Sequence, residues 1–339
     1  MDIKKIILIL LILAISISMF GCKATEGFKK LFSKDGEEIE IIRSDEMEFD
    51  TGKEDGMRKT VLYFKNGEGF LVPVMRKVPW EEGIAKLALK NMIDSPTLRE
   101  SLSQTGLSPI IPAGTEIKGM SINNETGICK VDFTKEVLNY ENEKDEETLI
   151  KGVVYTLTEF PAVKEVQIMI DGEVLPAFKY GSEVNKPIKR QDINLVENLK
   201  DANSNVVVYY KGTDNGEFEY FVPVTVPTLA PMSNVFTALE ELFDGPPEET
   251  GLFTDIPNGV NLQGVELKEG VAYVDLAVDS LDSLKEEYIF DSVYKNIGLT
   301  LGQFEEVGRV ELLIDGKTLD EAGLEFMVEE TIPAFANEY

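Results

Sequence analysis

The chain contains one long internal repeat, because residues 61–175 align with residues 206–319 at nearly constant spacing. The recurring motifs keep the same order in both copies: Val72-Pro73-Val74 and Val222-Pro223-Val224, Ile111-Pro112-Ala113-Gly114 and Ile256-Pro257-Asn258-Gly259, Val131-Asp132-Phe133 and Val274-Asp275-Leu276, and Ile170-Asp171-Gly172 and Ile314-Asp315-Gly316. Such a unit is much longer than the roughly 20 to 50 residues of solenoid repeats. We therefore predict two tandem domains, each with its own hydrophobic core.

Within each copy, the hydrophobic periodicity predicts the order strand, strand, helix, strand, strand, helix, strand. The β-branched and aromatic runs at 206–210 and 220–224 flank a glycine-containing turn, which indicates a hairpin. Val235, Leu239 and Leu242 are separated by four and three residues, as on one face of a helix. Helices packed on one face of a sheet would make each copy a two-layer α+β sandwich.

These features divide the 339-residue chain into six segments. The predicted segments are a signal peptide at 1–21, a tether at 22–60, domain 1 at 61–175, an interdomain linker at 176–205, domain 2 at 206–319 and a C-terminal tail at 320–339. Residues 195–199 of the linker are predicted to form one or two helical turns. Apolar residues of the tail, Phe326, Ile332, Pro333 and Phe335, predict that part of it packs against a domain.

Composition excludes several classes of function. Lys and Arg number 33 against 61 Asp and Glu, and the formal net charge of −28 repels phosphate backbones. The chain contains no histidine, which removes histidine-dependent hydrolases, histidine metal sites and histidine pH switches. We therefore predict a protein that is not an enzyme, has no cofactor or metal site and does not bind nucleic acid.

The N-terminus has the pattern of a bacterial export signal. Lys4 and Lys5 precede an apolar run over 6–20, and Gly21-Cys22 follows at once. The run is short for a transmembrane span of about 20 residues but fits the apolar part of a signal peptide. Gly21-Cys22 resembles the bacterial lipoprotein processing site, which implies lipidation of Cys22, palmitate included, and anchoring on the extracytoplasmic face of the cell membrane. The alternative is an uncleaved anchor in which Cys22 is an ordinary apolar residue.

The tether changes sign along its length. Basic residues interleaved with apolar ones dominate 23–34, whereas carboxylates dominate 35–55. The first part is either a membrane-surface segment or a solvated linker, and the second extends by self-repulsion. A flexible linker of about 38 residues reaches roughly 35 Å, which would hold the folded part clear of the bilayer.

Both copies carry the motifs of a known domain family. They resemble the GerM domain in five motifs: Gly-Leu, Ile-Pro-x-Gly, Val-Asp-Leu/Phe, a terminal Ile-Asp-Gly, and the 157–161 segment Leu-Thr-Glu-Phe-Pro. The resemblance implies a fold akin to ring-building motifs and a non-enzymatic role in sporulation or germination. It also implies that the partners are other sporulation envelope proteins, with self-association as a further prediction. Copy two has Gly302-Gln303 where copy one has Thr158-Glu159, which puts equal roles for the copies in doubt.

Several single residues have both a chemical and a structural interpretation. The Asp-Gly pairs at 171–172 and 315–316 present a carboxylate, but they are also the ordinary composition of tight turns, which we favour. Asp132 and Asp275 are expected to lie solvated on the outward face of a strand. Cys129 aligns with Ala272 in a core stripe, which predicts a buried thiol rather than a reactive one.

The acidic run and the single tryptophan have similar pairs of interpretations. The run 141–147 lacks the residue pattern of a calcium loop and favours the solvated start of a helix, where negative charge is stabilising. Trp80, which follows Pro79, is expected to close the edge of a core rather than anchor a partner.

Three functions of different classes fit these observations. We favour an extracytoplasmic scaffold or assembly protein of sporulation or germination that acts through protein–protein contacts. The first alternative is a solute-binding lipoprotein that holds its ligand between two lobes. The second is a cell-wall hydrolase that uses a carboxylate pair, either Asp132 with Asp171 or Asp275 with Asp315.

Overall fold

The computed structural model describes residues 57–79, 83–196, 201–326 and 331–338. The predicted signal peptide, Cys22, most of the tether and Trp80 lie outside these residues. The first strand starts at Met57, so the last four residues of the predicted tether belong to the fold. The physical reason is that this strand pairs along its whole length with the next one, which buries Arg58 and Thr60.

The predicted order of strands and helices is found in both repeats, with one additional helix after the hairpin of repeat 1 and a short strand and helix after the last predicted strand of repeat 2. Repeat 1 contains β1 (Met57–Lys65), β2 (Leu71–Pro79), α1 (Ile84–Lys90), α2 (Pro96–Leu102), β3 (Ile117–Asn123), β4 (Ile128–Phe133), a 3-10 turn (Lys135–Leu138), α3 (Glu143–Thr158) and β5 (Glu165–Ile170). Repeat 2 contains β6 (Ser204–Gly212), β7 (Tyr220–Thr228), α4 (Val235–Asp244), β8 (Val260–Lys268), β9 (Val271–Val278), a 3-10 turn (Leu281–Leu284), α5 (Glu287–Leu301), β10 (Arg309–Ile314), β11 (Lys317–Thr318) and α6 (Leu319–Ala322). None of the helices in the described ranges is long and apolar enough to cross a bilayer.

Each repeat divides its strands between a hairpin and a larger sheet. The hairpins are β1–β2 and β6–β7, and both are antiparallel. In the larger sheets, β4 pairs antiparallel with β3 and parallel with β5, and β9 pairs in the same way with β8 and β10. The parallel pairs require crossover connections, which α3 and α5 provide. A register shift before Gly119 recurs before Gly264, so even the irregularities are repeated.

The hydrophobic interior is continuous between the repeats, whereas the sequence predicts two separate cores. The inward residues of β4, Cys129, Val131 and Phe133, and their counterparts in β9, Ala272, Val274 and Leu276, are all buried in one cluster. The cluster is continuous because β2 of repeat 1 packs against β7 of repeat 2. The two repeats therefore share the hydrophobic stabilisation that separate domains would each have to provide alone.

The segments that follow the last long strand of each repeat are structurally equivalent. We call residues 188–196 the first arm and residues 331–338 the second arm. Each arm begins with an antiparallel pairing to its own repeat, Ile188 with Val166 and Thr331 with Arg309. The predicted linker and the predicted tail therefore each contain the same kind of element. In the first arm residues 195 and 196 are not helical, and residues 197–199 of the predicted helical turn lie outside the described ranges.

Each arm then crosses to the other repeat. The N–H of Thr225 on β7 donates to the carbonyl of Ile193 in the first arm at 3.0 Å. The N–H of Met75 on β2 donates to the carbonyl of Asn337 in the second arm at 2.7 Å. The prediction that the tail packs is confirmed, and Phe326 ahead of the arm also stacks on Phe290 with ring centres 4.3 Å apart.

Candidate functional site

The seam between the repeats consists of β2, β7 and the two arms, and carboxamide side chains join its parts. Asn194 of the first arm accepts a hydrogen bond from the N–H of Leu71 at 2.8 Å. Its amide group donates to the carbonyls of Leu71 at 2.8 Å and Pro223 at 2.7 Å. One side chain therefore links the first arm to a strand of each repeat.

Asn337 of the second arm makes the same contacts with the repeats exchanged. It accepts from the N–H of Phe221 at 2.7 Å and donates to the carbonyls of Phe221 and Pro73, both at 2.8 Å. Phe221 corresponds to Leu71 and Pro73 to Pro223, so the two asparagines are related by an approximate two-fold exchange of repeats. An amide has one acceptor and two donor hydrogens, and these contacts use all of them.

Prolines explain why side chains are needed at this seam. Pro73 and Pro223 have no backbone N–H, so β2 and β7 cannot complete an ordinary ladder at these positions. Asn337 is only 6% exposed, and its bonds satisfy carbonyl groups that would otherwise be buried without a donor. The carboxamides therefore hold the repeats in one fixed arrangement.

A polar cluster next to the seam belongs to repeat 1 and the first arm. Glu159 accepts from the hydroxyl of Tyr63 at 3.0 Å and from Arg190 at 2.5 Å. The guanidinium of Arg190 also lies 4.8 Å from the ring centre of Tyr155. Burial, together with the charge of Glu159, raises the pKa of Tyr63 well above its ordinary value. This cluster fastens the first arm to α3.

Repeat 2 uses the corresponding position differently. Gln303 replaces Glu159, and its amide oxygen accepts from the N–H of Val207 at 2.9 Å while its nitrogen donates to the Val207 carbonyl at 2.6 Å. The substitution therefore closes the edge of β6 instead of binding an arginine. The predicted inequality of the two copies has a physical basis at this position.

An open groove of about 620 Å³ runs along the seam, where the solute-binding hypothesis would place a ligand. Its walls include Lys151, Tyr155, Arg190, Asp192 and Leu195. Two of these charged residues already have partners, because Arg190 binds Glu159 and Asp192 accepts from the side chain of Asn205 at 2.9 Å. The groove therefore presents a mixed surface without a converging set of free polar groups among these residues.

The carboxylate pairs considered for hydrolysis form turns. Asp132 accepts from the N–H of Gly172 at 2.8 Å, and Asp275 accepts from the N–H of Gly316 at 2.8 Å. Asp171 and Asp315 have φ angles of 50° and 49°, as the favoured tight-turn interpretation requires. The expectation that Asp132 and Asp275 are merely solvated was wrong, because each holds the following turn against its strand.

Cys129 lies fully inside the core, as its alignment with Ala272 predicts. Burial raises the pKa of its thiol to about 12, so the thiol stays protonated at neutral pH. The thiolate is the reactive form of cysteine, and this residue therefore acts as a small apolar side chain. In the described part of the chain, no cluster of three or more acidic or cysteine side chains is arranged to hold a metal ion.

The acidic run 141–147 starts a helix as predicted, but one of its carboxylates is not solvated. Asn142 caps α3 by accepting from the N–H of Asp145 at 2.8 Å. Glu146 is fully buried. It accepts from the Tyr140 hydroxyl at 2.6 Å and from the N–H groups of Tyr180 and Ser182 at 2.7 and 3.0 Å. This carboxylate ties the segment after β5 to the start of α3.

We expect Glu146 to make stability depend on pH. Burial alone would raise its pKa, but the hydrogen bonds from Tyr140, Tyr180 and Ser182 outweigh burial and lower it. Since the folded-state pKa lies below the unfolded one, the stabilisation exists above the unfolded-state pKa and disappears as pH falls through the folded-state pKa. Urea unfolding of Glu146→Gln should show lower stability than wild type from neutral pH down to about pH 5, and the difference should shrink as the pH falls below about 4.3, the pKa of an unperturbed glutamate.

Glu147→Gln is the matched control for this experiment, because Glu147 is the exposed neighbour of Glu146. Its stability should follow that of the wild-type protein at every pH. A gap between Glu146→Gln and wild type that stays constant with pH would contradict the assignment.

Equivalent lysines close the first strand of both repeats. Lys65 and Lys211 each pair through backbone groups with the loop that follows the first helical region. Among the residues that the structure describes, the side chain of Lys65 binds Asp145 alone, whereas Lys211 contacts Glu219 and Asp255 and donates to the Tyr288 hydroxyl at 2.8 Å. The ammonium group of Lys211 is therefore the centre of a larger polar cluster.

Comparison with known proteins agrees with this architecture. The profile of the Germane family, described as sporulation and spore germination, matches residues 61–176 and 207–320. The chain belongs to the Germane family. This Germane chain is 30% identical over 282 residues to the spore germination protein GerM of Bacillus subtilis (strain 168), which covers 79% of this chain and 75% of that relative.

A solved structure shows the same tandem arrangement as the Germane chain. The tandem GerMN domains of the sporulation protein GerM from Bacillus subtilis match it with a TM-score of 0.68 and 26% identity. The match covers 83% of this chain and 99% of that structure. The family resemblance and the predicted duplicated α+β fold are therefore confirmed.

Proposed function

We propose that the protein is a membrane-anchored, extracytoplasmic scaffold or assembly protein of sporulation or germination. It would work through protein–protein contacts of its two Germane domains, with other sporulation envelope proteins and with further copies of itself as partners. The observation that carries this proposal is the seam, because Asn194 and Asn337 fix two similar repeats in one arrangement. A rigid pair of domains presents surfaces at a set distance, which is the property that an assembly protein needs.

Binding rather than catalysis is favoured by the state of the candidate reactive groups. Asp132 and Asp275 are engaged by backbone N–H groups, and Cys129 is buried and protonated. A general acid or base must reach a substrate proton, and these groups already have other partners. The names of the relatives, which refer to sporulation and germination, support the proposed process.

The anchoring part of the proposal is tested by Cys22→Ser. In a strain lacking the native gene, the wild-type protein should incorporate labelled palmitate and sediment with membranes, whereas Cys22→Ser should lose the label. Heat-resistant spores should fall in the deletion strain and in the Cys22→Ser strain. Cys129→Ala is the matched control, because the equivalent residue of repeat 2 is Ala272, and it should keep both the label and the spores.

The same strains separate the competing functions. Asp171→Asn with Asp315→Asn removes both turn carboxylates, while asparagine tolerates their left-handed backbone. The scaffold function predicts normal spores for this double variant, and a loss of spores equal to that of the gene deletion would support a hydrolase instead.

The lipidation test has its own contrary outcome. Retention of Cys22→Ser in the membrane with unchanged palmitate labelling would refute lipidation at Cys22.

A further inference from the structure

The loop between β7 and α4 exposes an unusual amount of apolar surface. Met232 and Leu229 are 70% and 63% exposed, the highest values among the large hydrophobic residues of the described ranges. Phe236 in the first turn of α4 is 43% exposed. Phe243, half-buried, follows seven residues later on the same side of the helix. Large apolar side chains that are exposed within one short loop and the helix after it suit an interaction site.

The backbone under these side chains is fixed by hydrogen bonds. Three residues of the loop each accept a hydrogen bond on the backbone carbonyl: Leu229 from Asn203 at 2.9 Å, Ala230 from Ser204 at 2.8 Å, and Met232 from Asn234 at 3.1 Å. Asn234 also caps α4 by accepting from the N–H of Thr237 at 3.0 Å. Because the loop is already ordered, a partner that binds it has little conformational entropy to remove.

The chain around this surface carries charge of one sign. Residues 213–267 contain ten Asp and Glu residues and no Lys or Arg. On the exposed side of α4, Glu240 and Asp244 alternate with Phe236 and Phe243. The equivalent helix α1 instead carries lysines at 86 and 90. The combination of apolar anchors and carboxylates therefore belongs to repeat 2.

We propose that this docking face, made of Leu229, Met232, Phe236, Glu240, Phe243 and Asp244, binds an amphipathic helix of a partner protein whose apolar stripe is flanked by Lys and Arg. The proposal rests on the proposed scaffold function and names its surface and partner chemistry. Apolar anchors at helical spacing suit a second helix packed alongside, and the carboxylates select a basic one. An anionic bilayer or a second copy of the same acidic face would be repelled.

The test uses the full chain and a fluorescent 16-residue helical peptide of leucine and lysine, with a leucine–glutamate peptide as control. Met232→Ser with Phe236→Ser should weaken binding of the lysine peptide at least tenfold, and Glu240→Lys with Asp244→Lys should weaken it severalfold. Val174→Ser with Leu195→Ser, at similarly exposed apolar positions elsewhere, should change it less than twofold. Melting temperatures should stay within about 2 °C of wild type, since the altered side chains are exposed.

Equal binding of the lysine peptide by wild type and the Met232→Ser, Phe236→Ser variant would overturn the proposal, because the peptide would then respond only to net charge. The proposal would also be overturned if the wild-type protein binds phosphatidylglycerol vesicles, or associates with itself in sedimentation, and the same variant abolishes that binding. If the peptide test fails and the Met232→Ser, Phe236→Ser variant still forms normal spores, only the proposed docking face is refuted. If the gene deletion itself forms normal spores, the proposed function is refuted.

Discussion

Lys211→Met should lower the free energy of unfolding by about 3 to 5 kcal/mol, because it leaves the largely buried carboxylate of Asp255 without its cation. The side chain of Lys211 is 5% exposed and that of Asp255 is 13% exposed. Glu219 approaches the same ammonium group to 2.9 Å. Methionine keeps the length and the apolar stem of lysine, so the loss reports on the charge.

The side chain of Lys211 stays protonated at neutral pH. Burial alone would lower its pKa, but hydrogen bonds to Asp255, Tyr288 and Glu219 outweigh burial and raise the pKa above its ordinary value. The lysine therefore remains a cation inside the fold, and its removal disturbs all three partners together. A buried ion pair is far more costly to break than to replace as a unit.

Lys65→Met provides the matched control within the same molecule. Lys65 occupies the equivalent position, but its side chain is 28% exposed and binds the single carboxylate of Asp145. The expected loss is about 1 kcal/mol, because both side chains of this pair remain partly in contact with water, which screens their attraction. Urea unfolding of both variants at neutral pH measures the difference, and a loss for Lys65→Met as large as that for Lys211→Met would contradict the argument.

Asn337→Asp should have the second large effect, a loss of about 3 to 5 kcal/mol through the seam. Aspartate is nearly the same size but has no amide hydrogens, so the buried carbonyls of Pro73 and Phe221 lose their donors. Each unsatisfied buried group costs about 1 to 3 kcal/mol, and the new carboxylate faces the same carbonyls. Calorimetry should then show the two repeats unfolding less cooperatively.

Asn203→Asp is the control for the seam variant. Asn203 is exposed and donates a single hydrogen bond, to the carbonyl of Leu229. Its replacement should cost less than about 1 kcal/mol. If both variants unfold at the same urea concentration, the carboxamide of Asn337 does not hold the seam.

The repeat and the order of its elements follow from the sequence because they depend on local patterns. Alternation at Cys129, Val131 and Phe133 identifies β4, and Asp-Gly after a strand identifies the turns. The start of β1 could not be predicted from the sequence, because Arg58 and Thr60 are polar and become buried only through the pairing of β1 with β2. Polar residues in a paired strand have no periodic signature of their own.

The residues of the seam are harder to predict. Asn194 and Asn337 are single polar residues in segments with the composition of a linker and a tail, and their one shared feature is a preceding apolar residue, Ile193 or Ala336. Their partners depend on how the repeats meet, which no local pattern encodes. The burial of Glu146, by contrast, could be predicted from the sequence, because this residue is in helical phase with the buried Leu149 and Val153.

The reciprocal arms make the first repeat depend on residues that are synthesised long after it. Repeat 1 leaves the ribosome first, yet its strand β2 acquires the carboxamide of Asn337 and the partner of the Met75 N–H only after residues 331–338 have been made. During synthesis, the edge of β2 therefore lacks these partners until residues 331–338 have left the ribosome. A stop codon before residue 331 would destabilise the first repeat as well as the second.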